Sequence, residues 1–169
     1  MIGATGRVGS AVALGLAALR RGGIQRTGMV SELPPFLGIG LVDPKDIVLG
    51  GHEIRSETLL EAVQTAHQKA GIFDAALIRG CTAELRAMQR NVRPGTLFGV
   101  GPTIRRLSDE RDVPRDVSVR AAIQRLSTDI VAFRRRHRLD QVVVIHVASS
   151  EPPFERTPAL GSWSKLDKA

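Results

Sequence analysis

Tyrosine is absent from this chain of 169 residues, and cysteine and tryptophan occur once each, as Cys81 and Trp163. Aromatic residues make up only 4%, which excludes a core pinned by stacked rings. Val, Ile, Leu and Ala must fill the interior, which suits an α/β sheet better than a β-sandwich. A lone cysteine excludes an internal disulfide and fits a reducing, cytoplasmic setting. No apolar run approaches the roughly 20 residues that a membrane span needs. No basic stretch leads into an apolar segment with a small-residue cleavage site, so no secretory leader is expected.

What is present is a hydrophobic fraction of 43% and a net charge of +7, carried mostly by arginine. The length allows one domain with its own core. The positive charge fits nucleic acid, an anionic cofactor or substrate, or solvated helix faces. Its densest run is "FRRRHR", Phe133 to Arg138. That run reads as a helix C-terminus, where cations are favourable. No aromatics interleave the arginines to stack bases, which counts against nucleic acid.

The chain opens with "MIGATGRVGSAVALGLAALRRGG". Gly3, Gly6 and Gly9 recur in a G-x-x-G-x-x-G turn, a relative of the dinucleotide fingerprint. There the first glycine permits a tight turn, the second a close approach to a pyrophosphate, and the third close helix packing. Helix packing alone can also account for such glycines. A helix is expected from Arg7 to Arg21, with Val12, Leu16 and Leu19 on one face and Gly22-Gly23 as the stop. The Gly- and Pro-rich stretch "TGMVSELPPFLGIGLVDP" reads as an irregular connection.

Further on, Asp46 to Leu49 reads as a short buried strand running into Gly50-Gly51. Ser56 reads as the cap of a helix carrying Leu59, Leu60 and Val63 and ending near Lys69. Asp74 to Ile78 is a second candidate strand. Thr82 caps a helix with Leu85 and Met88 inward, and Gly95 to Gly99 is a short strand or turn. The longest helix runs from about Pro114 to His137, its stripe Val119, Ile123, Leu126, Ile130 and Phe133. Gln141 to Ala148 is the clearest strand, and its β-branched run fits burial on both faces of a parallel sheet. No internal repeat is found, and the tail after Pro152 is polar, Pro-rich and expected to be loose. Strands alternating with helices predict an α/β domain with a mainly parallel sheet and ligands along one edge.

Several residues at that edge have two readings. An acid about 20 residues after the turn should hold the adenine ribose. Glu32 is nearer that distance, but Glu53 follows a strand and is the better candidate if the long insertion displaces the spacing. Glu53 can equally be a surface residue at a helix start. Ser149 and Ser150 follow the last strand, where they can bond a cofactor or cap a turn. His146, within an apolar run, reads as a core histidine. His52 and His137 lack partners at metal-ligand spacing, so no metal site is expected. Cys81 has no catalytic partner and reads as a small buried residue.

Three segments together resemble a known family. "GATGRVGSAVALGLAALRRG", "TGMVSELPPFLGIGLVDPKDIVLGGHEIR" and "VVVIHVASSEPP" are similar to the amino-terminal, cofactor-binding part of myo-inositol-phosphate synthases. The run Glu-Leu-Pro-Pro-Phe, then a strand, then Gly-Gly-His, is its most specific feature. The resemblance implies a Rossmann-like domain over residues 1–153, with helices on both faces of a mainly parallel sheet. Residues 154–169 would begin a catalytic region. It implies NAD as cofactor and, in the complete enzyme, conversion of glucose 6-phosphate to a myo-inositol monophosphate by oxidation, internal aldol closure and reduction. That reaction serves inositol and phospholipid biosynthesis in a cytoplasmic homo-oligomer.

By position, Gly3, Thr5, Gly6, Arg7 and Val8 would form the pyrophosphate loop. Glu53 would stand where the family has an aspartate on the ribose, and Thr96, Ala148, Ser149 and Ser150 would line the cofactor. No catalytic residue carries over, because Lys165 and Lys168 match no catalytic motif. The family's first strand is reduced here to Met1-Ile2, so the chain reads as a fragment clipped at both ends. Weak NAD binding and no turnover by the chain alone are therefore expected. Another NAD(P) oxidoreductase domain and a basic nucleic-acid module stand as alternatives.

Overall fold

A computed structural model of the chain describes residues 1–109, 113–148 and 158–166. Its sheet is assembled from short parallel pieces. Strand β1 (Gly51–Glu53) pairs with strand β2 (Val92–Pro94), Gly51 opposite Val92 and Glu53 opposite Pro94. Ile2 bridges in parallel to His52 on one side and to His146 on the other. Across the sheet the order is β2, β1, residues 1–2, then the segment around His146. In chain order this is third, second, first, fourth, the order of a dinucleotide-binding sheet.

Residues 1–2 therefore join their two neighbours. The His52 amide donates to the Met1 carbonyl, and the Ile2 amide to the Ile145 carbonyl, each at 2.9 Å. The Val147 amide returns to the Ile2 carbonyl at 2.9 Å. The first strand is as short as the sequence implied, yet it fixes the end of the sheet that carries the glycine turn.

Successive side chains of a strand point to opposite faces. Here they separate two helical layers. His52 points to the long helix that carries Asp129 and meets that carboxylate, while Glu53 points to the glycine turn and Thr5. On the side of that turn lie α1 (Arg7–Arg20), α2 (Leu59–Ala70), α3 (Ala75–Gly80) and α4 (Thr82–Gln89). Leu14, Leu59, Val63 and Leu85 are almost fully enclosed between them, with Ile78, Cys81, Met88 and Leu49. Each large side chain so buried contributes about 1.5–3 kcal/mol. Helix α5 (Pro102–Leu107) follows β2, and α6 (Val119–His137) covers the other face. Among the described residues after Pro153, a 3-10 turn (Pro158–Gly161) and helix α7 (Trp163–Leu166) pack on each other.

Local chemistry sets the helix ends. Thr58 caps α2 in a reciprocal box with Glu61, and Gly71 ends it at φ 62°; such a cap contributes about 1 kcal/mol. Ser118 accepts from the Ala121 amide to start α6, which ends on Arg138 in the left-handed region at φ 53°. The arginine run of α6 occupies its last turn, as the charge pattern implied.

Several expectations are corrected. Asp74 to Ile78 is not a strand: Asp74 accepts from the Ala76 and Leu77 amides and starts α3. Thr58, not Ser56, caps α2, because Glu61 completes the box only from there. The long helix begins at Val119, not Pro114. Residues 46–49 form no strand, and pairing begins only at Gly51, where residues 1–2 stand alongside. Gln141 to Ala148 makes a single bridge, at His146, and is not buried on both faces. Val143, Val144 and Ile145 are exposed at 70%, 54% and 53%, and His146 is exposed rather than a core residue. The stripe of α1 also turns: Ser10, Ala13, Leu14 and Ala17 are buried, and Val12 is exposed.

Candidate functional site

The glycine turn lies where the strands end and α1 begins. Gly3 adopts φ 84°, which side chains rarely tolerate, and its amide donates to the His52 carbonyl at 2.9 Å. A Cβ on Gly3 would lie 2.7 Å from the Ala148 Cα. One on Gly9 would lie 2.3 Å from the Ala4 carbonyl oxygen. The first and third glycines are thus required by space, the first against the late strand and the third against the turn itself.

Gly6 is the N-cap of α1 and supplies no side chain to its first amides. Among the described residues, no protein acceptor is found for the amides of Arg7 and Val8. Their side chains project outward, and no acidic residue stands in this first turn. Free amides and the helix dipole together favour an anion there.

Beneath the turn lies Glu53, buried to 8% exposure. Its Oε2 accepts from the Thr5 amide and the Thr5 hydroxyl, each at 2.8 Å, and its Oε1 from the Ile54 amide at 2.9 Å. Arg55 lies alongside, with Nη2 at 3.1 Å from the Thr5 hydroxyl and 3.4 Å from Oε2. Burial opposes ionisation of Glu53, but the hydrogen bonds from Thr5, Ile54 and Arg55 outweigh it and hold the carboxyl below its ordinary pKa. Arg55 also reaches Glu57 at 3.4 Å.

The sequence-derived site residues divide accordingly. Gly3, Thr5, Gly6, Glu53 and Ala148 come together at one edge, with Arg7 and Val8 on the exposed start of α1. Ser149 and Ser150 lie outside the described residues. Thr96 follows β2 at the same edge, but its hydroxyl donates to Asp116 at 2.7 Å. Asp116 in turn holds Arg125 through both oxygens at 3.0 and 2.8 Å, and Arg125 donates to the Pro94 and Gly95 carbonyls.

Arg55 and the Asp116–Arg125 pair escaped the sequence reading. Arg55 had a signal, an arginine two residues beyond Glu53 on the same side of an extended segment. Asp116 and Arg125 had none, since they bond each other and residues 94–96, at and just after the end of β2. Among the described residues, no three His, Cys, Asp or Glu side chains gather as a metal cluster.

A parallel sheet in third-second-first-fourth order, a glycine turn against the late strand and an uncapped helix start define a Rossmann-type dinucleotide-binding domain. A family model described as myo-inositol-1-phosphate synthase matches residues 36–169. The chain belongs to this family, an NAD-using enzyme family, through its NAD-binding domain, and NAD is the cofactor. No curated protein matches the chain. No described helix is long and apolar enough to cross a membrane.

The residues present fit such a cofactor at the pyrophosphate. Gly3 and Gly9 keep the turn tight, and the Arg7 and Val8 amides are open to phosphate oxygens. At the ribose the fit is indirect, because both carboxylate oxygens of Glu53 are already engaged with protein donors.

Proposed function

We propose that this chain is the NAD-binding portion of an inositol-3-phosphate synthase acting on D-glucose 6-phosphate. The observation that carries the reading is the meeting of Gly3 with Ala148 above the Thr5–Glu53 pair, beside the open amides of α1. In the proposed assignment, the pyrophosphate lies on the Gly6, Arg7 and Val8 backbone. Thr5 and Glu53 hold the turn in shape, and Arg55 is the polar group nearest the ribose. Ser149 and Ser150, which follow Ala148 in the sequence, are assigned to the same cofactor, and Thr96 supports the loop after β2 by way of Asp116.

When bound, NAD would accept a hydride from the sugar and return it, which makes the net reaction an isomerisation. The chain's own part is to bind and orient. The aldol and sugar-holding groups belong to the complete enzyme, a cytoplasmic homo-oligomer in this reading. The chain by itself is assigned no turnover.

Titration of the 169-residue chain with NAD, followed by amide chemical shifts, tests the binding step. Saturable shifts at Gly3, Gly6, Arg7, Val8 and Ala148, with a dissociation constant of about a millimolar, are expected. Shifts confined to other surfaces would overturn the assignment. Tighter binding to a nucleic-acid duplex, lost with added salt, would favour the basic-module alternative.

A further inference from the structure

The loop after β2 is held by the helix on the far face of the sheet. Gly95 is buried, and its amide donates to the Glu53 carbonyl at 2.7 Å. A Cβ on Gly95 would lie 3.0 Å from Ile54 Cγ2 and 3.3 Å from the Glu53 carbonyl. Gly95 thus lies directly against residues 53–54, next to Arg55. Arg125 of α6 holds it there: Nη1 donates to the Pro94 carbonyl at 3.0 Å, and Nη2 to the Gly95 carbonyl at 2.8 Å. Asp116 aims the guanidinium. Its side chain is only 5% exposed, and it accepts from Nε at 3.0 Å and from Nη2 at 2.8 Å. A forked pair of this kind fixes direction as well as distance.

Arg125 is itself anchored. Side chains four positions apart on a helix share one face. On α6 that face carries Arg125, then Asp129, 3.2 Å from His52. Phe133 follows, its ring 2.7 Å from where a Cβ on Gly50 would stand, and then His137, 3.0 Å from Asn91. The helix is therefore seated along the sheet over about three turns, and Arg125 stands at the end of the stripe nearest the glycine turn. Thr96 completes the latch. Its hydroxyl donates to Asp116 at 2.7 Å and accepts from the Phe98 amide at 3.1 Å. A hydroxyl has one proton to give, and here the carboxylate takes it. Thr96 has none left for a cofactor, so its effect on one runs through the loop.

We propose that Arg125, Asp116 and Thr96 are positioning residues for the adenosine end of NAD: together they set residues 95–98 against residues 53–55, so that the adenine and its ribose meet an edge already in place. The inference rests on the reading that NAD lies at this edge. A loop ordered before binding spares the ligand the cost of ordering it. The pyrophosphate is assigned elsewhere, to the first amides of α1, and none of the hydrogen bonds described for these three residues reaches that turn. The latch therefore acts on one end of the cofactor and not on the other.

The test titrates NAD and inorganic pyrophosphate separately into the 169-residue chain, read at the Gly6, Arg7 and Val8 amides. Arg125→Lys keeps the charge, but a single nitrogen cannot hold the two Asp116 oxygens and the Pro94 and Gly95 carbonyls together. It should weaken NAD roughly fivefold or more and leave pyrophosphate within about twofold. Thr96→Val removes the hydroxyl and should act in the same direction. Thr96→Ser restores it and should return NAD affinity to within about twofold of the native chain. Parallel loss of NAD and pyrophosphate in Arg125→Lys and Thr96→Val, the mark of a general loss of structure, would overturn the proposal. Failure of Thr96→Ser to recover NAD would do so too, by assigning the effect to the methyl group. NAD affinity unchanged in both variants would sink the latch while leaving the cofactor reading in place. If NAD moves none of these amides in the native chain, the cofactor reading fails and the proposal with it.

Discussion

Thr5 donates to one oxygen of Glu53 twice, through its amide and through its hydroxyl, both at 2.8 Å. One link between β1 and the glycine turn thus fixes both the main chain and the side chain of Thr5. Glu53→Gln keeps the shape but removes the charge that strengthens these bonds, each worth about 1.5–3 kcal/mol when a charged group takes part. NAD affinity should fall about tenfold, read by the same chemical-shift titration, with Glu53→Ala at least as severe. An unchanged affinity would mean that the turn holds its shape without the carboxylate.

The same carboxylate gives stability a pH signature. Its pKa is depressed in the folded chain, with burial opposed and outweighed by bonds from Thr5, Ile54 and Arg55. A depressed carboxyl contributes stability that is complete above the unfolded pKa of about 4.3. That contribution is lost as pH falls through the lower folded value. The stability gap between the native chain and Glu53→Gln should therefore close as urea unfolding is repeated from pH 6 downward. A gap that persists at the lowest workable pH would assign it to packing instead.

His52 adds a second acid limb at higher pH. Burial pushes its pKa down, and Asp129, 3.2 Å from Nε2, only partly restores it. The neutral form is the one the fold prefers, so stability is complete above about 6.5, the unfolded value. It falls as pH drops through the folded pKa. Imidazole proton shifts should report a His52 midpoint below the ordinary histidine value of about 6.5. Asp129→Asn removes the opposing partner and should lower the midpoint further.

How far the sequence reveals this arrangement depends on whether the information is local. The glycine spacing, the α1 helix and the inward Leu85 and Met88 follow from short-range pattern, whereas the meeting of Gly3 with Ala148, far apart in the chain, was legible only through the family resemblance. The five apolar-leaning residues from Asp74 fit a strand or a helix equally well; the Asp74 cap decides for helix. The run at Val143 has strand composition, yet a strand needs a neighbour, and its neighbour residues 1–2 reach only as far as Ile145. Asp116 and Arg125 stand nine positions apart and act together on the Gly95 carbonyl and Thr96. No periodicity encodes that junction.

Glycines on the same helix should behave in opposite ways. A methyl on Gly9 meets the Ala4 carbonyl oxygen at 2.3 Å, whereas one on Gly15 meets nothing within 4 Å. Gly9→Ala must push the turn off α1 and should destabilise by about 1–3 kcal/mol, the usual cost of overpacking. Gly15→Ala removes helix-interior freedom from the unfolded chain and should stabilise by about 0.5–1 kcal/mol. Chemical denaturation measures both, and only Gly9→Ala should also weaken NAD.

Cofactor choice turns on the surroundings of Arg55. An arginine near the adenine ribose can receive the extra phosphate of NADP. Here the guanidinium lies 3.4 Å from both the Glu53 and the Glu57 carboxylates, so two negative charges answer its one positive charge. A dianionic phosphate brought to that point would meet net repulsion and would have to displace Glu57. NAD should therefore bind at least fivefold more tightly than NADP in parallel titrations. Glu57→Gln leaves Arg55 with one acid fewer and should narrow the difference mainly by improving NADP, since NAD carries no phosphate at that position. If the variant moves both cofactors equally, Arg55 does not face the ribose, and the assignment of that end of the site fails.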